Sequence, residues 1–301
     1  MDAGAIRRIA VIGAGQMGAG IAEVAARAGI EVGLCDVGVE RAEAARHGVL
    51  SRLERQVQKG KVTTDEVSLV ASKLHPLSFE AALGDAEFVI EAASENPTLK
   101  LELFARADAA APLAVALASN TSSISITRLA AATRRPELVV GMHFMNPVPV
   151  MKLVELVHGV QTAPNTLKLT HELAERLGKT VITSLDSPGF LVNRMLLPFL
   201  NEACFALQEG LGTKEDIDQG ARLGLNHPLG PLELADLIGL DTVLSIAEVL
   251  HRELGDDKYR PATLLKNLVA AGWLGKKSGR GFYVYDATGQ KLAPEPSGGK
   301  P

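Results

Sequence analysis

Cysteine is nearly absent: Cys35 and Cys204 are the only two among 301 residues. Two cannot build a disulfide framework, and they show no C-x-x-C spacing for zinc or redox work. Each stands in an apolar run, strand-like for Cys35 and helix-like for Cys204, so both read as small core residues. Long apolar runs are missing too. Apolar residues make up 47% of the chain, yet no stretch reaches the ~18 residues that cross a bilayer, and a soluble protein is expected. Nor is one sign of charge in excess. A formal net charge of -4 and a pI near 6.0 give no field that would hold a nucleic-acid backbone or an anionic membrane. The N-terminal MDAGAIRRIAVIGAG runs straight into a strand and a glycine loop, which leaves no room for a secretory or transit segment and points to the cytoplasm.

What is present is an alternation. Candidate strands IRRIAVI, EVGLCD, AEFVIEA, LAVALAS, LVVGMHF and TVITSLD are mostly separated by amphipathic or alanine-rich helical segments. Parallel strands need crossovers, and crossovers are usually helices, so the pattern predicts a mainly parallel α/β sheet covered on both faces. Near Ser187 the pattern changes. SPGFLVNRMLLPFLNEACFALQEG reads as a helix with Ser187 as N-cap, Pro188 at the first position and a kink at Pro198. KEDIDQGARLG, PLELADLIGLDTVLSIAEVLHREL and PATLLKNLVAAG continue as helices, and GRGFYVYD as a short extended piece. The predicted domains are 1–186 for the sheet, 187–286 for an all-helical C-terminal domain, and a tail over 287–301 expected to be disordered.

Gly13, Gly15 and Gly18 stand between the first strand and the first helix. Such glycines allow the tight turn, close approach of backbone to a pyrophosphate and close packing of helix on strand, while the helix N-terminus offers free N–H groups to phosphate. G-x-G-x-x-G alone is weak. Here Asp36 ends the next strand about 20 residues on, where an acid can bind a ribose 2′-hydroxyl. Together they predict a Rossmann-type dinucleotide domain; the bland alternative is a glycine-rich turn and a surface aspartate. Asp36 would repel a 2′-phosphate, so NAD is favoured over NADP, with Arg41 close enough to matter. GWLGKKSGRG lacks the P-loop spacing, because Ala270 stands where its first glycine should be, and reads as a solvated turn.

Chemically able residues recur where strands finish, the rim on which ligands bind. After AEFVIEA come Ser94, Glu95 and Asn96, then Pro97 and Lys100; after LAVALAS come Asn120, Thr121, Ser122 and Ser123. Asn96 and Ser123 read as helix caps. Four successive hydrogen-bonding side chains exceed what a cap needs, so Ser122 is a candidate for a substrate oxygen. LVVGMHF should bring His143 to the same rim, and the extended VMKLVELV could return Glu155 beneath its ring. A lone histidine is more often structural. Beside a dinucleotide site with an acid in reach, it fits the base that alcohol oxidation needs. Asn193 lies among apolar helix neighbours and must find a partner, either backbone or a ligand.

IGAGQMGAGIA, SEN with Lys100, NTSS, HFMNPVPVMKLVE, SPGFLVNR, NHPLGPLELADLIGLD and AGWLGKKSGRGFY occur in this order from about Arg8 to Tyr285. They resemble the 3-hydroxyacyl-CoA dehydrogenases, and most closely the bacterial 3-hydroxybutyryl-CoA enzymes. The resemblance implies NAD-dependent oxidation of an (S)-3-hydroxyacyl-CoA, or the reverse, within fatty acid or butanoate metabolism. It implies His143 as base, Glu155 as its orienting partner, Ser122 as hydroxyl contact and Asn193 as the amide holding substrate. It also implies cofactor contacts by Gln16, Met17, Glu95, Lys100, Asn120 and Asn146 beside the glycines and Asp36, and a homodimer joined through the helical domain.

RHGVLSRLERQVQKGK, residues 46–61, carries five Lys or Arg against one Glu. A solvated basic helix and a face for coenzyme A phosphates are both open readings, and the resemblance favours Lys59 and Lys61 as contacts. Two other functions stay open on these residues: a dehydrogenase of a free 3-hydroxy or sugar acid, and a non-enzymatic, crystallin-like NAD-binding protein.

Overall fold

Alternation builds the first strand. In the computed structural model, which describes residues 3–293, Ile9 and Val11 of β1 (Arg8–Ile12) enter one apolar core and Ala10 and Ile12 another, all four buried. A strand buried on both faces sits in the middle of a helix-covered sheet. The other strands are β2 (Glu31–Cys35), β3 (Leu74–Pro76), β4 (Phe88–Glu91), β5 (Leu117–Ser119), β6 (Val139–Phe144), β7 (Leu153–His158) and β8 (Thr180–Leu185). Their order is β3-β2-β1-β4-β5-β6-β7-β8, and among the described residues only β6 and β7 pair antiparallel within this sheet. Strand order reverses at β1/β4, which opens a crevice beyond their carboxyl ends.

The helices of this unit are α1 (Gln16–Arg27), α2 (Val39–Gln58), α3 (Thr64–Lys73), α4 (Phe79–Leu83), α5 (Pro97–Ala110), α6 (Ile126–Ala130) and α7 (Pro164–Arg176). Asn96 caps α5 as expected, its side-chain oxygen accepting from the Leu99 N–H at 3.1 Å, with Pro97 at the first position. Ser123 does not cap α6. Ser125 does, accepting from Arg128 N, because the helix begins two residues later than the apolar pattern suggested. β3 was not foreseen; three residues are too few to show a period. LAVALAS contributes only its last three residues to β5.

Met1–Phe190 form one compact unit and Leu191–Pro301 the other. The second holds α8 (Val192–Gln208), α9 (Lys214–Gly224), α10 (Pro231–Ile238), α11 (Leu240–Leu254) and α12 (Thr263–Ala270) around its own core, which includes Leu200, Cys204, Leu232 and Leu250. Two expectations here are corrected. α8 starts at Val192 rather than after Ser187, since Gly189 and Phe190 take φ of 75° and 51°, which a right-handed helix cannot accommodate. The long segment from Pro231 to Leu254 is two helices, broken at Gly239, whose φ is 103°. Pro198 lies inside α8 as read.

GRGFYVYD joins no sheet; isolated bridges link Gly275 to Arg280, Arg280 to Val284 and Tyr285 to Lys291. Asp236, fully buried, holds it by accepting from the Phe282 and Tyr283 N–H groups and the Tyr285 hydroxyl. Of the tail expected to be disordered, 287–293 turn back instead, with the Asp286 carboxylate accepting from Thr288 N and Gln290 N. Residues 294–301 lie outside the described residues. Both cysteines are buried and unpaired, and desolvation pushes each thiol up to about 12. No helix among the described residues is long and apolar enough to cross a membrane.

Candidate active site

The glycine loop follows β1 and enters α1. Gly13 has φ of 104°, and a Cβ there would meet the Ala92 carbonyl oxygen at 2.6 Å; at Gly18 it would lie 1.8 Å from the Gly13 oxygen. Both positions are closed to any side chain. At Gly15 a Cβ would meet nothing within 4 Å, so that side of the turn is open. Asp36, just past β2, accepts from Ala14 N at 2.7 Å and from Val37 N at 2.8 Å, and Arg41 Nε stands 3.5 Å away. Gly13, Gly15, Asp36, Val37 and Arg41 line a cavity of about 460 Å³ that extends to Phe79, Leu99, Leu103 and Arg106. An acid at the far end, apolar walls and an exposed N-terminal turn of α1 fit an adenosine diphosphate group. Gln16 Nε2 donates to Asn146 Oδ1 at 3.0 Å, whereas Met17 packs on the core.

Behind the loop lies a chain of charges that sequence reasoning missed in part. Glu91, the last residue of β4, is buried; its carboxylate accepts from Lys100 Nζ at 2.6 Å, Ala93 N at 2.6 Å and Ser119 Oγ at 2.7 Å. Lys100 is equally buried and donates also to the Ala93 carbonyl, so it stands within the wall rather than on its surface. The signal for Glu91 was an acid inside the all-buried run FVIE. Lys100 Nζ also stands 3.5 Å from Glu95 Oε2. Oε1 of Glu95 gathers the next loop, accepting from Thr121 Oγ1 at 2.5 Å, from Ser122 N and Ser123 N, and from both serine hydroxyls. Burial alone would raise the Glu95 carboxyl, but the Lys100 ammonium and these hydrogen bonds outweigh it and hold the group below the usual carboxylate range. Ser122 is thereby fixed half-buried on the rim.

Asn120, next in the chain, accepts from Phe144 N at 2.8 Å and so ties this loop to the end of β6. On β6, His143 is the register partner of Glu155 on β7. Antiparallel pairing sets their side chains on one face, and His143 Nδ1 lies 3.2 Å from Glu155 Oε2. Glu155 is fully buried and the imidazole nearly so. A proton on Nδ1 would be held by this carboxylate and would leave Nε2 as the nitrogen with a free lone pair. The Phe190 ring, unforeseen in the sequence, packs edge-on against the imidazole at 5.9 Å. Ser122, Asn120, His143, Glu155, Gln16 and Asn146 therefore share one end of the sheet.

Three candidates lie on other elements. Asn193 is buried in the first turn of α8, in the second unit. Lys59 and Lys61 are exposed just past the end of α2. Their basic stretch is partly structural: Arg46 donates to the Leu74 and Ala71 carbonyls, and Arg52 pairs with Glu23. Among the described residues no cluster of His, Cys, Asp or Glu could hold a metal.

Residues 8–187 match the family described as 3-hydroxyacyl-CoA dehydrogenase, NAD binding domain, and residues 189–285 its C-terminal domain. The chain is 52% identical over 281 residues to a probable 3-hydroxybutyryl-CoA dehydrogenase of Bacillus subtilis, covering 93% of this chain and 98% of that one. It is 50% identical to the 3-hydroxybutyryl-CoA dehydrogenase of Bradyrhizobium diazoefficiens, covering 94% and 97%. The crystal structure of an (S)-3-hydroxybutyryl-CoA dehydrogenase from Ralstonia eutropha superposes with a TM-score of 0.90 at 47% identity, over 94% of this chain and all of that one. Both domains of the family are matched in order along the chain, and relatives of this kind cover nearly all of it: the chain belongs to the 3-hydroxyacyl-CoA dehydrogenase family.

Proposed function

We propose that this protein oxidises (S)-3-hydroxyacyl-CoA, with 3-hydroxybutyryl-CoA as substrate, to the 3-ketoacyl-CoA, or catalyses the reverse reduction. The observation that carries the reading is the pairing of His143 with the buried Glu155 on the rim where the glycine loop opens. Gly13, Gly15, Gly18 and Asp36 would hold NAD, which when bound takes up the hydride that leaves C3. His143 Nε2 receives the proton of the C3 hydroxyl as its carbonyl forms. Glu155 holds Nδ1–H, which orients the ring and offers a counter-charge to the imidazolium that forms. Ser122 Oγ turns its single proton from Glu95 to the substrate oxygen, and Asn193 contributes its amide. The Glu95 carboxylate supports the reading by keeping the 121–123 loop in place around Ser122. Lys59 and Lys61 are assigned to coenzyme A phosphates.

NADH and CoA thioesters are charged and do not cross membranes unaided, so the proposed site of action is the cytoplasm. A homodimer through the helical unit is proposed as well, supported by the exposed apolar side chains Met195, Leu211, Leu223 and Leu225. Sedimentation equilibrium giving the monomer mass at micromolar concentration would refute the dimer.

The test of function is NADH oxidation with acetoacetyl-CoA against free acetoacetate. Turnover with the thioester, lost by roughly 10²–10⁴-fold in His143→Gln with NADH binding kept, is the expected result. Preference for the free acid would overturn the substrate class.

A further inference from the structure

His143 and Glu155 are joined by the loop 145–152, and that loop is held from three directions. On the side of α1, Gln16 donates to Asn146, and Gly20 lies so close that a Cβ there would be 2.9 Å from Val148 Cβ. Within the loop, Val150 N and Met151 N both donate to the Pro147 carbonyl. From beneath comes Lys179, whose Nζ donates to the Val148 carbonyl at 2.6 Å and the Met151 carbonyl at 2.9 Å. The base of this lysine is itself fixed: Lys179 N bonds the Ala174 carbonyl at the end of α7, and Thr180 N bonds the Lys152 carbonyl.

A buried ammonium is costly, and desolvation lowers the pKa of Lys179, with only the nearby Glu23 acting against it. Packing alone could be served by a methionine or leucine at no such cost. Two inward-facing loop carbonyls, however, need donors, and a lysine supplies three N–H bonds from one point. We propose that Lys179 is a positioning residue: it fixes the loop that sets His143 against Glu155 on one side and Asn146 against the cofactor helix on the other. The proposal rests on the reading of His143 as base.

The loop shares no residue with the cavity at Asp36. Its loosening should therefore disturb the nicotinamide half of the cofactor and spare the adenosine half. In Lys179→Met, NADH affinity is expected to fall about 10-fold and kcat with acetoacetyl-CoA about 10–100-fold, as displacements of an ångström cause, while ADP-ribose affinity stays unchanged. Lys179→Ala should behave alike and recover kcat on addition of propylamine, the portion of the side chain removed. A methionine variant equal to the native protein in kcat and NADH affinity overturns the proposal. So does equal loss of ADP-ribose and NADH binding, which marks a role in folding only. If Lys179→Met does not fold, Lys179→Ala is prepared in propylamine and the amine dialysed away. NADH affinity falling ahead of ADP-ribose affinity supports the role, and unfolding on dialysis overturns it. Native protein that binds NADH but does not turn over acetoacetyl-CoA would count against the dehydrogenase reading instead, because both binding measurements stand without turnover.

Discussion

His143 and Glu155 stand opposite each other across an antiparallel strand pair in an otherwise parallel sheet of the described residues, ring nitrogen to carboxylate oxygen 3.2 Å apart. Glu155→Gln preserves the shape of that pair and removes its charge. On the proposed mechanism, an imidazolium formed at His143 would then lose its stabilising partner, and the amide could bond the ring in the wrong tautomer. Turnover should drop by roughly 10²–10⁴-fold with NADH affinity little changed, as stopped-flow and fluorescence titration would read. Turnover within threefold of native would remove Glu155 from the mechanism.

The glycines separate packing from ligand approach. Gly18→Ala forces a Cβ into the Gly13 carbonyl and should cost about 1–3 kcal/mol or more of stability. Gly15→Ala meets open space and should change stability by under ~0.5 kcal/mol, yet weaken NADH binding where the pyrophosphate approaches. Calorimetric melts beside NADH titrations would distinguish them; a Gly15→Ala protein binding NADH normally would contradict the placement of the phosphate.

On the proposed placement of the cofactor, Asp36 and Arg41 would set the choice of dinucleotide. The carboxylate repels a 2′-phosphate and the neighbouring guanidinium, 3.5 Å away, attracts one. Removing the acid alone with Asp36→Ser should shift the ratio of kcat/KM for NADPH over NADH upward by about 10-fold or more, a difference of ~1.4 kcal/mol. An unchanged ratio would place the ribose elsewhere.

Glu95 makes stability depend on acid. Its carboxyl is held below the usual range in the fold, so its contribution is complete above the unfolded value of ~4.3 and disappears as pH falls through the lower folded value. The gap in Tm between native protein and Glu95→Gln should be constant from pH 6 to 8 and close in the acid region. A gap that is constant down to the acid limit would show that the amide loses packing, not charge.

What the sequence disclosed was whatever is local. The strand–glycine–helix junction and Asp36 lie within a few dozen residues, and Asn96 with Pro97 announces its own helix. His143 was legible as a polar interruption of an apolar strand. The extended run VMKLVELV pointed to Glu155 returning to it, and what stayed hidden was the antiparallel register that sets the two residues directly opposite. The partners of Glu91, Lys100 and Lys179 lie on other elements, so no periodicity marks which buried charge meets which. Ser123 and Ser187 look like caps by residue type. Their real partners, the distant Glu95 for the first and a left-handed turn after the second, override that preference.

The burial of Cys35 and Cys204 has a practical consequence. Thiolate is the reactive form, and thiols held near 12 and shut away from solvent give maleimides nothing to attack at neutral pH. A cysteine introduced at exposed Val150, in the loop above Lys179, could carry a fluorophore by itself, without first stripping the native residues from the chain.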